Sequence, residues 1–542
     1  MRAAFSRGLL LLLSACTAKI ELPPKQVPPA SVACVNGVDP GPLLMRRLTN
    51  DEYLRSVNWL LSTDASALVA TFPADLRRTG FDNAFELQTV SVSHANAYFF
   101  TAKTLSDQLF ADATRTTALL GCDPSGSNRE TCLRSFITTF GRRAYRRPLT
   151  SAEVDSLFTL TATEAQPLDG AALALRAMLQ SPKFLWRSEL GQTEAGHPYL
   201  KLSGLELASR LSFFLWGGPP DDALLDAAAN GELDTVDGVE AKARAMLDDP
   251  RSRTSFQRFV DQWFGFERIA GLSRTAATFP SFDDALKSSM AEEVHRLFDR
   301  YLWQDGQNLL DVYNTRQSFA DDRLATLYGK TLAQPGGWNT LDWTGDANRG
   351  GLFTTAGLLA VTTRNDFTSP IQRGLYVRDT VLCNKPNLPP SGVPQLSMMP
   401  GENLATAENR HTSDPACSGC HKLIDPVGKG LERYDAIGQL RSTYPDGTPV
   451  AQTGRVEGLD DPDYSGGVEL GERLRTAPDS VTCAVKHSFR WTLARKENTP
   501  DASDACALEQ LAQRFQDHGG SFRELVLAFV TNDAFRYRRP AD

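Results

Sequence analysis

The chain has 542 residues, of which 41% are hydrophobic, so it is long enough for two to four domains and apolar enough to give them cores. Its 57 Lys and Arg residues are outnumbered by 65 Asp and Glu residues, and the net charge is −8. Because nucleic-acid-binding proteins carry a basic excess, we expect no nucleic-acid partner.

The first residues predict export. Two arginines precede the apolar run Leu9 to Leu13, which is too short to span a bilayer. The next residues, Leu13-Ser14-Ala15-Cys16, resemble the bacterial lipobox, in which the cysteine is lipidated and becomes the first mature residue. We therefore expect residues 1–15 to be a lipoprotein signal peptide and Cys16 to attach the chain to the membrane through lipid. Thr17, in place of an aspartate, favours the outer membrane.

The region after the anchor predicts a tether followed by helices. Residues 16–45 are rich in proline, which is typical of an extended linker. Three capping-box patterns then predict helix starts, and apolar residues follow each of them at helical spacing. The pattern predicts a mainly α protein with helical modules over residues 46–120, 121–195 and 196–335. The capping pairs are Thr49 with Glu52, Thr150 with Glu153, and Ser203 with Glu206.

The stretch Cys417-Ser418-Gly419-Cys420-His421 carries the strongest chemical signal. Two cysteines in C-x-x-C spacing followed by histidine are typical of haem c attachment. Cys417 and Cys420 would form thioethers with one haem, and His421 would be the proximal ligand of its iron. A redox dithiol would accompany a βαβ pattern, and a zinc site would need a second ligand pair; neither is near Cys417. Export agrees with haem c, because bacteria attach this haem outside the cytoplasmic membrane.

We place the haem module at residues 336–445. The sequence also limits which residues could be the second axial ligand of its iron. The last methionine of the chain is Met399, so no methionine follows the motif. We rank His411 first as distal ligand, then an open site, then Met399, then His487. The alternative for His411 is a structural role, as a cap or a hydrogen bond to the haem-binding loop.

After the motif, Asp425-Pro426-Val427-Gly428 predicts a turn, and residues 446–542 predict a C-terminal helical module. Its four helices are expected at residues 468–474, 480–494, 504–517 and 521–535.

The six cysteines outside the lipobox and the motif predict up to three disulfides in an oxidising compartment. Sequence alone permits fifteen pairings. The local choices are Cys122 with Cys132 and Cys483 with Cys506, which leaves Cys34 with Cys383 by elimination.

These motifs, in this order, resemble a family of exported bacterial proteins built from consecutive modules of unknown function and ending in a cytochrome-c-like haem module. The resemblance implies the modules and the haem, but no substrate. The chain departs from the pattern at Ile424, where many relatives have methionine, which weakens any family-based methionine ligand. The matching pieces are Arg47-Leu48-Thr49-x-x-Glu52-Tyr53, Arg146-Arg147-Pro148-Leu149-Thr150, Glu206-Leu207-Ala208-Ser209-Arg210-Leu211-Ser212-Phe213-Phe214-Leu215-Trp216, Arg349-Gly350-Gly351-Leu352, Thr368-Ser369-Pro370-x-x-Arg373-Gly374, His411-x-Ser413-Asp414-Pro415-Ala416-Cys417, Asp425-Pro426-x-Gly428 and Tyr434-Asp435-Ala436-Ile437-Gly438.

Three functions follow from these features. The leading prediction is electron transfer at the cell envelope, by a lipid-anchored protein that faces the periplasm or the cell surface and serves an unidentified redox partner. The first alternative is a haem-dependent oxidase or peroxidase that uses the large helical body as its substrate domain. The second is a surface-binding scaffold without redox activity. A filled sixth iron position favours electron transfer, whereas an open one permits oxygen or peroxide chemistry.

Overall fold

Helices make up most of the fold, and each predicted capping box is present. The structure, a computed structural model, describes residues 34, 37–42, 45–304, 306–386, 399, 406, 410, 412–413, 415–497 and 503–540. At Thr49, Thr150 and Ser203 the hydroxyl accepts the N–H of the glutamate three residues later. The glutamate carboxylate in turn accepts the N–H of the capping residue. The mainly α prediction is confirmed.

Residues 46–187 form one core. Strand β1 (Arg46–Arg47) pairs antiparallel with β2 (Trp186–Arg187), so the two ends of this region meet. Buried apolar side chains from Leu48 to Leu185 form a single cluster between them. The modules predicted at 46–120 and 121–195 therefore share a core. Their helices are α1 (Asn50–Leu61), α2 (Ser66–Val69), α3 (Val92–Phe110), α4 (Ala113–Leu120), α5 (Arg129–Tyr145), α6 (Ser151–Thr161), α7 (Pro167–Gln180) and α8 (Pro182–Leu185), with 3₁₀ turns at Phe85–Leu87 and Gly126–Asn128.

The region from Leu202 to Phe535 forms a second, larger core, which also includes Val38 and Phe81. Its helices are α9 (Gly204–Leu215), α10 (Asp222–Ala229), α11 (Val236–Leu247), α12 (Pro250–Phe264), α13 (Asp284–Trp303), α14 (Asp322–Tyr328), α15 (Ala356–Val361), α16 (Pro370–Tyr376), α17 (Pro415–Lys429), α18 (Gly466–Thr476), α19 (Pro478–Leu493), α20 (Ala505–Asp517), α21 (Phe522–Thr531) and α22 (Asp533–Arg536). The four predicted C-terminal helices are present as α18 to α21, except that the last, predicted to extend to residue 535, ends at Thr531 and is followed by the separate helix α22. No helix of the described residues is both long enough and apolar enough to cross a membrane.

Short elements join distant parts of this second core. Strand β9 (Tyr537–Arg538) pairs with β4 (Leu200–Lys201), which also pairs with β3 (Gln192–Thr193). The end of the described chain is thereby tied to the start of the third module. The remaining elements are the antiparallel pairs β5 (Gln317–Ala320) with β6 (Asn339–Asp342) and β7 (Thr453–Arg455) with β8 (Asp463–Ser465), the 3₁₀ turns Phe266–Gly271, Leu309–Tyr313 and Leu352–Thr354, and a π-helical turn at Val377–Val381.

Part of the predicted tether belongs to the folded body. Val38 is buried in the second core, and Arg539 donates a hydrogen bond of 2.8 Å to the carboxylate of Asp39. Cys34 is joined to Cys506 in α20. The assignment of all of residues 16–45 to a tether is therefore wrong at its end, because these residues have partners in the C-terminal part of the chain.

The disulfides correct the predicted pairing. Cys122–Cys132 is confirmed, whereas Cys483–Cys506 and Cys34–Cys383 are wrong. Cys483 lies 3.5 Å from the carbonyl oxygen of Thr380, in the turn that precedes its true partner. Cys506, at the start of α20, faces the N-terminal segment instead. The bonds formed are Cys34–Cys506, Cys122–Cys132 and Cys383–Cys483.

Candidate haem-attachment site

The motif lies on a helix that gathers its three reactive residues on one face. Cys417, Cys420 and His421 are three and four residues apart on α17, which is the spacing of side chains on a common face. Cys417 is buried and Cys420 is half-buried, and neither is in a disulfide. Every other cysteine in the described part of the chain is oxidised. The motif thus keeps both thiols, which haem attachment requires.

A buried carboxylate orients the motif histidine. Nδ1 of His421 lies 2.9 Å from Oδ1 of Asp425, whose side chain is only 2% exposed. Such a contact favours the tautomer with its proton on Nδ1 and its lone pair on Nε2, the nitrogen that would bind iron. It also increases the electron donation of the ring. Sequence reasoning missed this role for Asp425, although the four-residue spacing on a helix would have indicated it.

The predicted turn at Asp425-Pro426-Val427-Gly428 is wrong, because α17 continues through Pro426 to Lys429. Two glycines explain why. A Cβ at Gly428 would lie 1.8 Å from the carbonyl oxygen of Pro370, and one at Gly374 would lie 1.9 Å from that of Ile424. The backbones of α16 and α17 are therefore in direct contact, which only glycine allows. This packing supports α17 where Pro426 removes a helix hydrogen bond.

A buried ion pair joins α16 to the chain that follows α17. The guanidinium of Arg373 lies 3.0 Å from the carboxylate of Glu432, and neither side chain is exposed. Arg441 donates to the same carboxylate at 2.9 Å, and Thr368 also donates to it. Burial lowers the pKa of Arg373, and the charge of Glu432 opposes that effect. The pair fixes the surface on which the motif helix rests.

A second polar cluster joins the third module to the module that contains the C-x-x-C-His motif. The carboxylate of Glu293, in α13, accepts hydrogen bonds of 2.6 Å from the hydroxyls of Ser318 and Tyr328. The guanidinium of Arg349 lies 4.5 Å from the centre of the Tyr328 ring, and the N–H of Ala356 donates to the Tyr328 hydroxyl at 2.8 Å. Burial raises the pKa of Glu293 to about 7. No sequence motif singled out this glutamate.

One group of metal-type side chains occurs elsewhere in the described residues. The ligand atoms of Cys383, Cys483 and His487 lie within 4.8 Å of one another. Because the two sulfurs are bonded to each other, His487 is the only donor left in this group. Its ring stacks on Trp263 at 5.1 Å, and burial lowers its pKa well below the ordinary value, with Arg490 adding to the effect. The imidazole is therefore neutral and enclosed.

The ring contacts of His487 are made with Trp263 and Phe81, not with residues of the motif. In the π-helical turn Val377–Val381, the carbonyl of Thr380 accepts a hydrogen bond of 3.0 Å from the indole N–H of Trp263, the ring on which His487 stacks. Arg378 of the same turn donates at 3.1 Å to the carbonyl of Leu423, in the motif helix. The turn thus contacts both Trp263 and α17.

The other predicted site residues are placed as follows. Met399 is 56% exposed, so the structure does not bury it against the motif. His411 and Cys16 lie outside the described residues.

The fold and the site together define a mainly helical, multi-module protein with a C-x-x-C-His helix in its C-terminal half. Five segments, in chain order, match families that are each described as a protein of unknown function. No curated protein and no solved structure matches the chain. The modules of unknown function that the sequence resembles are thereby confirmed. The matched segments are residues 46–111 (DUF1587), 132–189 (DUF1595), 202–329 (DUF1592), 349–444 (DUF1588) and 460–535 (DUF1585).

Proposed function

We propose that this protein is a c-type haem protein of the cell envelope that transfers single electrons. The observation that carries the proposal is the helix α17, which presents Cys417, Cys420 and His421 on one face with both thiols outside disulfides. The short name of the family matched at residues 349–444, PSCyt3, contains the abbreviation of cytochrome and supports the same reading.

The residues of α17 fit the group they would hold. Cys417 and Cys420 would form the thioethers, and Nε2 of His421 would ligate the iron. Haem, when bound, supplies the one-electron chemistry. Asp425 holds the imidazole in one orientation, and its negative charge stabilises the oxidised state. We therefore expect Asp425→Asn to raise the midpoint potential, measured by redox titration, whereas an unchanged potential would show that Asp425 only positions the ring.

The experiment that tests haem attachment is expression in a host with haem-maturation machinery, followed by denaturing electrophoresis. We expect haem-dependent peroxidase staining on the polypeptide. Cys417→Ser combined with Cys420→Ser should abolish the stain. The matched control, Cys122→Ser combined with Cys132→Ser, removes a disulfide but should keep the stain. An unstained wild-type chain would reject the proposal.

A second candidate function, oxidase or peroxidase chemistry, is favoured by the same contact between His421 and Asp425. A strongly donating proximal ligand favours cleavage of the O–O bond. Visible spectra of the oxidised, reduced and carbon-monoxide-treated protein separate the two functions. Carbon monoxide binding would indicate an open or labile sixth position, and its absence a filled one. If His411→Ala leaves a low-spin spectrum and carbon monoxide binding unchanged, His411 is not the distal ligand.

We also propose that Cys16 anchors the protein by lipid, with the outer membrane as its site. Acyl chains supply about 0.8 kcal/mol of membrane affinity per buried CH₂, so they would hold the chain against a salt wash. Cys16→Ala should release the protein from the membrane fraction. Retention of that variant after the wash would require another mode of attachment.

A further inference from the structure

Arg378 is a buried cation whose terminal nitrogens have no partner. It lies in the π-helical turn Val377–Val381, directly after α16, and its residue exposure is 0%. Its Nε donates to the carbonyl of Leu423, but Nη1 and Nη2 are buried without any hydrogen bond. Burial lowers its pKa to about 10, so the side chain is still charged at neutral pH.

Other buried arginines in the described part of the chain have partners for their terminal nitrogens, although Nε of several of them, Arg373 included, is unpaired. Arg373 pairs with Glu432 at 3.0 Å, and Arg495 pairs with the carboxylate of Asp504 at 2.6 Å. Arg146 donates to backbone carbonyls, among them that of Trp186 at 2.7 Å. An unpaired buried guanidinium costs several kcal/mol, so the exception at Arg378 calls for a ligand.

Two acidic side chains interact electrostatically with Arg378, but neither accepts a hydrogen bond from its terminal nitrogens. Glu457 and Asp479 act on it electrostatically, but neither is hydrogen-bonded to it. Glu457 accepts from Arg455 at 2.9 Å, and Asp479 accepts from Asn384 at 3.1 Å. Two parallel N–H donors at a buried site are the geometry that binds a carboxylate with both of its oxygens.

The position of Arg378 indicates which carboxylate could bind its terminal nitrogens. Its one hydrogen bond to the motif helix is made at Leu423, three residues after Cys420 and therefore on the same side of α17 as that cysteine. Haem, the group that α17 would hold, carries two propionate carboxylates. We propose that Nη1 and Nη2 of Arg378 bind a haem propionate; this rests on the proposed haem attachment and adds a contact that the motif does not specify. The arginine then fixes the haem edge and places a positive charge beside it.

The test uses the haem-loaded, full-length protein and the variants Arg378→Gln and Arg378→Lys. Resonance Raman spectra report the propionate bending bands, and redox titration reports the reduced-to-oxidised ratio. Loss of a positive charge beside the haem favours the oxidised state, so we expect Arg378→Gln to lower this ratio at least threefold at a fixed potential and to shift a propionate band. Arg378→Lys should keep most of the ratio but lose the two-oxygen contact, and therefore also shift the band.

Arg433→Gln is the matched control. Arg433 lies in the same module and donates to Asn348 at 2.7 Å, away from the motif helix, so its variant should match the wild type in both measurements. Haem-loaded Arg378→Gln with wild-type bands and ratio would overturn this proposal alone. If the Gln variant does not accumulate, an unshifted propionate band in Arg378→Lys would overturn it equally. A wild-type chain without haem would instead overturn the proposed function.

Discussion

Glu293 should make the stability of this protein depend on pH in a direction opposite to that of most carboxylates. The ordinary pKa of a glutamate side chain is 4.5, and burial raises that of Glu293 to about 7. Between these values the unfolded chain releases the proton while the folded protein retains it. The free energy of unfolding therefore falls as the pH rises through this window, and the effect ends once both states are ionised.

The magnitude follows from the two pKa values. One pKa unit corresponds to about 1.36 kcal/mol, so Glu293 should remove about 3 kcal/mol of stability between pH 4.5 and 7. Glu293→Gln keeps the shape of the side chain but cannot ionise. We expect the difference in unfolding free energy between the wild type and this variant to change by that amount across the window.

Urea unfolding of the full-length protein, at half-unit steps from pH 4.5 to 8, measures this difference. Glu292→Gln is the matched control, because Glu292 precedes Glu293 on the same helix but pairs with Arg296 at the surface. The control should follow the pH profile of the wild type. A difference between the wild type and Glu293→Gln that does not vary with pH would refute the reasoning.

Two further predictions concern the bonds that hold the haem module and the N-terminal segment. Glu432→Gln leaves the charge of Arg373 buried without its ion pair, so it should cost about 3–5 kcal/mol in urea unfolding; a variant as stable as the wild type would contradict this. Cys34→Ser combined with Cys506→Ser opens a covalent loop of 472 residues and should cost about 2–5 kcal/mol in the same assay. Unchanged unfolding would show that noncovalent contacts alone hold this segment.

Local signals predicted much of the fold. The capping boxes at Thr49, Thr150 and Ser203 depend on residues three positions apart, and all three start helices in the structure. The Cys122–Cys132 disulfide spans ten residues and was predictable for the same reason. Each of these features is decided by neighbours in the sequence.

Tertiary contacts account for the errors. Cys506 bonds to Cys34, far away in the sequence, and no local pattern indicates that the two meet. Pro426 would ordinarily end a helix, but the contact between Gly374 and Ile424 supports the helix beyond it. Both outcomes depend on which surfaces pack together.

The three residues of the candidate site stand out in the sequence alone, but their surroundings do not. The spacing of Cys417, Cys420 and His421 predicts haem attachment without any structure. Arg378 and Glu293 are single polar residues in segments that carry no sequence motif. Only their burial, with unpartnered terminal nitrogens at Arg378 and a raised pKa at Glu293, distinguishes them.

Mass spectrometry of the motif peptide tests the central claim most directly. The full-length protein is purified from a host with haem-maturation machinery, digested, and searched for the peptide that contains Cys417 and Cys420. The proposed function predicts that this peptide carries the added mass of one haem, bound through both cysteines. Recovery of the peptide only with unmodified thiols, or with the two cysteines joined in a disulfide, would contradict it.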